Sequence, residues 1–335
     1  MKTTIYDVAR EANVSIATVS KVLNNSGRIG EETRGKVMEI IKKLNYQPNK
    51  MASALTGKQT YSIGLLIPDL ANPFFAELAR SIEDQGHQLG YHLIICSTDY
   101  NPQKEQKYVD LLKRNKADGI ILASGFEQSN IIEQLINEQI PVAVVARDLP
   151  IPIVNTVSND DFYGGYQAAK HLIDLGHKKI AVIARDVWTN RQRLDGYNKA
   201  LSDANIHYEF PFEYIRESTI EWGKEMATHY LQSADPPTAI FACNDLLAIG
   251  AIQAIKEKGL KVPDDISVVG FDNTMIANIA DPPLTTIAQS TKNMGKHVMD
   301  LINKEITEGI TDKTRLALLP KLITRKSTKS IRTLS

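Results

Sequence analysis

From Tyr61 onward the chain carries seven short apolar runs, YSIGLLI, HLIICS, GIILAS, PVAVVA, KIAVIA, TAIFAC and ISVVGF, spaced by polar stretches of helical periodicity. Such runs are too short for buried helices and leave no alternate positions for water, so they read as strands covered on both faces. Amphipathic helices are expected between them near 74–89, 103–115, 162–175, 191–204 and 245–258. Strands buried on both sides and joined by helical crossovers make a doubly wound α/β fold. The chain holds no G-x-G-x-x-G and no Walker loop; the nearest fragment, TGKQT at 56–60, lacks the upstream glycine. Neither a nucleotide site nor any cofactor is expected.

The first sixty residues have a different character. They hold ten Lys and Arg against five Asp and Glu, in a chain of 335 residues whose net charge is zero, so a basic module sits on an acidic body. A polyanionic partner for that module follows. Cys96 and Cys243 are too far apart in sequence to suggest a disulfide framework or metal-ligand spacing and read as small core residues. The N-terminus MKTTIYDVAR has no apolar signal region, and no run approaches the roughly 18 apolar residues of a membrane span. The expected location is the cytoplasm, with no membrane partner.

Ile5, Val8, Ala9 and Ala12 recur at helical spacing and predict a short helix over 5–12. Asn13 tolerates a left-handed backbone and ends it, and Ser15 is a good N-cap for a second helix running to Asn24. Val19, Val22 and Leu23 form the inner stripe of this second helix, while Ile16, Ala17, Ser20, Lys21 and Asn24 point outward. Two short helices joined by a tight turn form a helix-turn-helix, whose second helix enters the major groove of DNA. Exposed apolar residues there have a use against thymine methyls. The competing reading is a three-helix core on which Ile16 merely packs. Thr33, Val37, Ile40, Ile41 and Leu44 predict a third helix over 31–45. After it, Pro48, Asn49 and Gly57 frame a short helix with Met51, Ala52 and Leu55 on one side.

The stretches TIYDVAREANVSIATVSKVLN, TRGKVMEIIKKLNYQPN and ASALTGKQT together resemble the DNA-binding head and hinge of the lac and purine repressor family nearly end to end. The resemblance implies that Ile16 and Ala17 read bases, and that Ser15, Thr18, Ser20, Lys21, Asn24 and Asn49 make phosphate or mixed contacts. It also implies hinge helices paired across two subunits, with Ala52 and Leu55 at the minor groove and Leu55 acting as a wedge. For the body it implies two lobes of periplasmic-binding-protein type around a ligand cleft. The expected divisions are a head at 1–48, a hinge at 49–60 and a body at 61–325. One lobe takes 61–160 plus 291–320 and the other 161–290 plus 321–325.

Ligands of open α/β sheets sit beyond the carboxyl ends of the strands. Asn72, Phe74 and Phe75 follow YSIGLLI, Arg193 follows KIAVIA, Trp222 stands in STIEWG, Asn244 and Asp245 follow TAIFAC, and Asp272 follows ISVVGF. Arg193 matches a ligand-binding arginine of the family. An amide, an arginine, a carboxylate and an aromatic face suit a polyol or a heterocycle. Each has a structural alternative: Phe74 and Phe75 as core, Asn72 and Asp245 as helix caps, Arg193 with Asp272 as an ion pair, Trp222 as packing. Arg147 in VVARDL is a further candidate, although Ala146 stands where many relatives have an acidic residue and Asn159 where an aspartate is common.

Catalysis is not expected, because Asp160 with Asp161 and Asp264 with Asp265 are adjacent pairs that do not aim at one atom, and the histidines lack metal spacing. The tail RKSTKSIRTLS is basic and polar, and 326–335 is expected to fray. It has no leucine heptads, so a homodimer is expected rather than a tetramer. The expected function is that of a transcriptional regulator, most readily a repressor. It binds a pseudo-palindromic double-stranded DNA operator and answers to a small-molecule effector, a sugar or another metabolite. A phosphocarrier protein docking on the first lobe is the alternative, since FFAELARSIED also resembles the catabolite-control branch. A transport-type binding protein is the alternative from another class.

Overall fold

The computed structural model describes residues 3–23, 26–46, 59–124, 130–149, 153–207, 212–309 and 312–331. Asn24, Asn49, Ala52 and Leu55 lie outside them. Residues 1–60 and 61–335 form two compact units.

The first unit holds three helices, α1 (Ile5–Ala12), α2 (Ile16–Leu23) and α3 (Glu31–Lys43). Thr4 opens α1 with a reciprocal cap: its hydroxyl accepts from Asp7 N, and the Asp7 carboxylate accepts from Thr4 N at 2.9 Å. Asn13 closes α1 in the left-handed region, at φ 53° and ψ 47°. Two residues later Ser15 Oγ accepts from Thr18 N at 3.1 Å, starting α2. Val8, Val19 and Val37, one from each helix, are fully buried against one another's neighbours. Each contributes roughly 1.5–3 kcal/mol of apolar burial, which is what a unit this small depends on.

The second unit contains two sheets. In the first, β1 (Ser62–Ile67), β2 (His92–Ser97), β3 (Gly119–Ala123), β4 (Val142–Val145), β5 (Asn155–Asn159) and β10 (Arg315–Leu318) run in the order β10-β5-β4-β3-β1-β2, all parallel. The second holds β6 (Ile180–Ile183), β7 (Ala239–Ala242), β8 (Ser267–Asp272), β9 (Thr285–Ala288) and β11 (Lys321–Ile323) in the order β11-β9-β8-β7-β6, with only β11 antiparallel. Each sheet has an apolar cluster on both faces, which is the burial that the continuous apolar runs require, except that β2, expected to be covered on both sides, is an edge strand with only Cys96 buried.

Between the strands lie α4 (Pro73–Gln88), α5 (Pro102–Arg114), α6 (Asn130–Asn137), α7 (Asp161–Asp174), α8 (Trp188–Asp203), α9 (Ile220–Leu231), α10 (Asp245–Glu257), α11 (Met275–Ile279) and α12 (Thr291–Glu308). Helix α8 begins three residues before the expected position. Strand β5, with the sequence NTVSN, is fully buried despite its polarity. Its two asparagine ends find partners inside: Asn155 Nδ2 donates to Glu305 Oε2 at 2.8 Å, Asn155 Oδ1 accepts from Thr314 N at 2.9 Å, and Asn159 Nδ2 donates to Gln289 Oε1 at 2.7 Å, whereas the Thr156 and Ser158 hydroxyls between them are buried without a hydrogen-bond partner among the described residues. Helix α12 packs on the first sheet through Met294, Val298, Met299 and Ile302. The chain therefore passes between the sheets three times: after Asn159, after Ala288 and between Leu318 and Lys321.

The expected fraying from residue 326 is corrected over 326–331. Ser327 is completely buried; its Oγ donates to Val268 O at 2.6 Å and accepts from Thr285 N at 2.8 Å. Ile331 N still bonds Leu175 O at 3.0 Å. Serine and threonine hydroxyls satisfy the backbone of β8 and β9 here, and they give no apolar signal in sequence.

Candidate nucleic-acid interface and ligand cleft

In the head, α2 turns Val19 and Val22 inward and leaves Ser15, Ile16, Ala17 and Lys21 exposed, with Thr18 and Ser20 half-buried. Ile16 keeps 40% of its surface in water, so the reading in which it merely packs into the three-helix core does not describe it. An exposed isoleucine beside an alanine, a lysine and small hydroxyls at the start of a helix offers apolar contact to base methyls and donors to phosphates.

In the body, the carboxyl ends of the two sheets face each other across a cleft with about 50 Å³ of enclosed space. The first sheet's side contributes Asn72, Phe74, Phe75 and Tyr100; the second contributes Asn190, Arg193, Asn244 and Asp272; Gln289 stands where the chain passes between them. Phe74 and Phe75 meet edge to face, with ring centroids 5.1 Å apart, and are both core and cleft wall. The cleft shares Asn72, Tyr100 and Ser218 with an adjoining chamber of about 220 Å³. At that boundary the Arg185 guanidinium from the second sheet lies 3.7 Å above the Tyr100 ring from the first.

Arg193 is the electrostatic centre. Its Nε donates to Asp161 Oδ1 at 2.7 Å, its Nη1 donates to the Cys243 carbonyl and lies 3.9 Å from Asp272, and its guanidinium stacks 3.6 Å over Phe271. Close packing of α7 and α8 puts it there: a Cβ on Gly165 would fall 1.9 Å from Arg193 O, and one on Gly196 1.9 Å from Phe162 O. Burial raises the proton affinity of Asp161, and that of Asp272 more strongly, with Arg193 opposing both. Burial also works against the Arg193 charge, but Asp161 and Asp272 outweigh it and keep the guanidinium protonated. Asp272 has a φ of 106°, a strained position for a residue with a side chain.

Of the residues anticipated here, Asn72, Phe74, Phe75, Arg193, Asn244 and Asp272 come together, while Arg147 and Trp222 stay off the cleft wall. Trp222 packs on the core beneath α9 and lines a separate cavity of about 410 Å³ with Tyr214, Met226 and His229. The structural roles are also present. Asn72 Oδ1 accepts from Phe74 N at 3.0 Å and Asn244 Oδ1 from Leu247 N at 2.8 Å, so both cap helices. Asp245 is not the cap of α10; it accepts instead from Thr274 N, Thr274 Oγ1 and Thr286 Oγ1 at 2.6–2.9 Å. The sequence reading missed Tyr100, Asn190, Ser218 and Gln289, although Gln289 immediately follows a strand and obeys the same positional rule.

Residues 4–49 match the family model described as bacterial regulatory proteins, lacI family, and residues 60–326 match the periplasmic binding proteins and sugar binding domain of the LacI family. The chain is 46% identical to the HTH-type transcriptional regulator DegA of Bacillus subtilis (strain 168), over 99% of its own length and 100% of that protein. It is 37% identical to the HTH-type transcriptional repressor PurR of Mannheimia succiniciproducens, over 98% of this chain and 99% of that one. Among solved structures, the lac repressor dimer bound to operator and the anti-inducer ONPF superposes with a TM-score of 0.86 at 29% identity, covering 98% of this chain and 100% of that one. With both parts matched and full-length relatives well above 30% identity, the chain belongs to the lacI family of bacterial regulatory proteins, a helix-turn-helix DNA-binding head followed by a periplasmic-binding-protein-like body.

Proposed function

We propose that the protein is a homodimeric transcriptional repressor whose head binds a pseudo-palindromic operator and whose cleft binds a small metabolite, a sugar or a related polar ring compound, as its input. The observation that carries the effector reading is the convergence of two phenylalanines, four side-chain amides, a buried carboxylate and a buried arginine on one cleft between the sheets. A sugar presents just such alternating hydroxyls and C–H faces. The buried cation is neutralised by Asp161, with its Nε committed to that carboxylate and its Nη1 to the Cys243 carbonyl, so the cleft does not demand an anionic ligand. The operator reading is supported by the exposed face of α2 and by relatives named as repressors.

The test is a thermal-shift screen of monosaccharides, disaccharides and purine bases, run with and without a pseudo-palindromic duplex selected from random sequence. Effector and operator are linked reciprocally, by ~1–3 kcal/mol in typical cases. A compound that stabilises the protein and changes operator affinity by the same factor in both directions supports the reading. Duplex binding unaffected by every compound overturns the cleft as input.

A further inference from the structure

The cleft wall and the chain crossings share one residue, Gln289. It follows β9 directly, and Ser290 after it opens α12 on the other sheet. Asn159 is the last residue of β5, and Asp160 and Asp161 after it open α7 on the second sheet. The two crossings therefore run side by side, and their side chains are bonded. Asn159 Nδ2 donates to Gln289 Oε1 at 2.7 Å, while Asn159 Oδ1 receives Ser290 N at 3.5 Å, which orients the Asn159 amide. Gln289 Nε2 in turn donates to Asp272 Oδ1 at 2.5 Å. Gln289 and Asp272 line the cleft; Asn159, 3% exposed, does not. At the third crossing the corresponding link is made by backbone, Asp160 N to Leu318 O at 2.9 Å.

We infer that Asn159 is a positioning residue for Gln289 and that the Asn159–Gln289–Asp272 chain is the clamp through which cleft occupancy sets the angle between the lobes. A ligand hydroxyl that donates to Asp272 competes with Gln289 for the same carboxylate. Once Gln289 loses that partner, its amide swings, and the bond holding the two crossings together at Asn159 loosens with it. The identity of residue 159 matters because an amide has a donor end and an acceptor end. With Asn159 donating, the Gln289 amide must present its own NH₂ to Asp272. An aspartate at 159 accepts only, so it turns the Gln289 NH₂ toward itself and leaves an oxygen facing the Asp272 carboxylate. The clamp holds the arrangement in which Glu77 Oε1 of α4 accepts from Met275 N at 3.2 Å and Arg185 covers Tyr100.

This inference rests on the cleft being the input site, but its test needs no ligand, so an unsuccessful effector screen leaves it standing or falling on its own. Spin labels are placed at Lys107→Cys, on α5, and Lys258→Cys, at the end of α10, exposed positions on opposite lobes, with the native Cys96 and Cys243 buried. Inter-lobe distances are then measured in the full-length chain and in its Asn159→Leu and Asn159→Asp variants. Each hydrogen bond lost should lower the closed-to-open ratio about fivefold. Both variants are expected to gain a long-distance population absent from the parent. A purely structural asparagine would lower the melting temperature and leave the distances unchanged, and that result overturns the clamp. If the variants fail to fold, hydrogen exchange at the Asn159 side-chain amide, in the unmodified protein and in Gln289→Ala, decides. Protection that falls when Gln289→Ala removes the acceptor supports the clamp, and protection unchanged by that substitution overturns it.

Discussion

Arg193 Nε lies 2.7 Å from Asp161 Oδ1, whereas the guanidinium is 3.9 Å from Asp272. The residue next to the helix cap Asp160, and not the strand-end carboxylate, is the close partner of the buried cation. Its position follows from the tight α7–α8 contact at Gly165 and Gly196 rather than from sequence proximity.

Removing one member of such a buried pair leaves an uncompensated charge. Arg193→Met should cost roughly 3–5 kcal/mol of stability, and Asp161→Leu a similar amount. The double variant should cost clearly less than the sum, because neither charge is then stranded. Urea unfolding of the four proteins measures this cycle, and strict additivity would show that the pair is not coupled.

The exposed face of α2 gives a second expectation. Ile16→Ala should weaken binding to the selected operator more than to random duplex, because it removes a base contact. Lys21→Ala should weaken both alike and reduce the slope of log affinity against log salt by about one. Neither residue belongs to the buried core of the head, so its melting temperature should hold. Binding titrations at several salt concentrations separate the two effects.

The Asp245 carboxyl is pushed up to about 6, chiefly by burial, with its bonds to Thr286 and Thr274 opposing. A carboxyl whose affinity for protons is higher folded than unfolded stabilises the fold fully below its ordinary value near 4, and that contribution is lost as pH rises through 6. Burial raises Asp272 in the same direction. The unfolding free energy should therefore fall between about pH 4 and 6 from Asp245, and Asp272 adds a fall of the same sign. Asp245→Asn, which keeps an acceptor for Thr274, should flatten the fall. Urea midpoints across that interval provide the check.

Much of this was legible before folding. Periodicity placed α1 and α2 within a residue of their observed ends, because capping at Thr4, Asn13 and Ser15 is local chemistry. The seven apolar runs correspond to β1–β4 and β6–β8, and for six of them the reason is burial on both faces; β2 is a sheet edge in which only Cys96 is buried and Ile95 stays exposed. Strands β5, β9, β10 and β11 were not legible. The burial of β5 and β9 relies on polar partners elsewhere in the chain, such as Glu305 for Asn155 and Ser327 for Thr285, whereas β10 and β11 are short edge strands with no buried residue and hence no apolar run.

The cleft divides the same way. That Asn72, Arg193, Asn244 and Asp272 follow strands is a property of the chain, and the rule that ligands gather beyond strand ends brought them forward. That Arg193 is bound to Asp161, that Trp222 belongs to another cavity, and that Gln289 joins cleft to crossing were decided only by tertiary structure. Local sequence determines which residues stand at the end of a strand or the start of a helix. Which of them then meet depends on how two sheets and three crossings pack, and that is set by contacts between residues tens to more than a hundred positions apart.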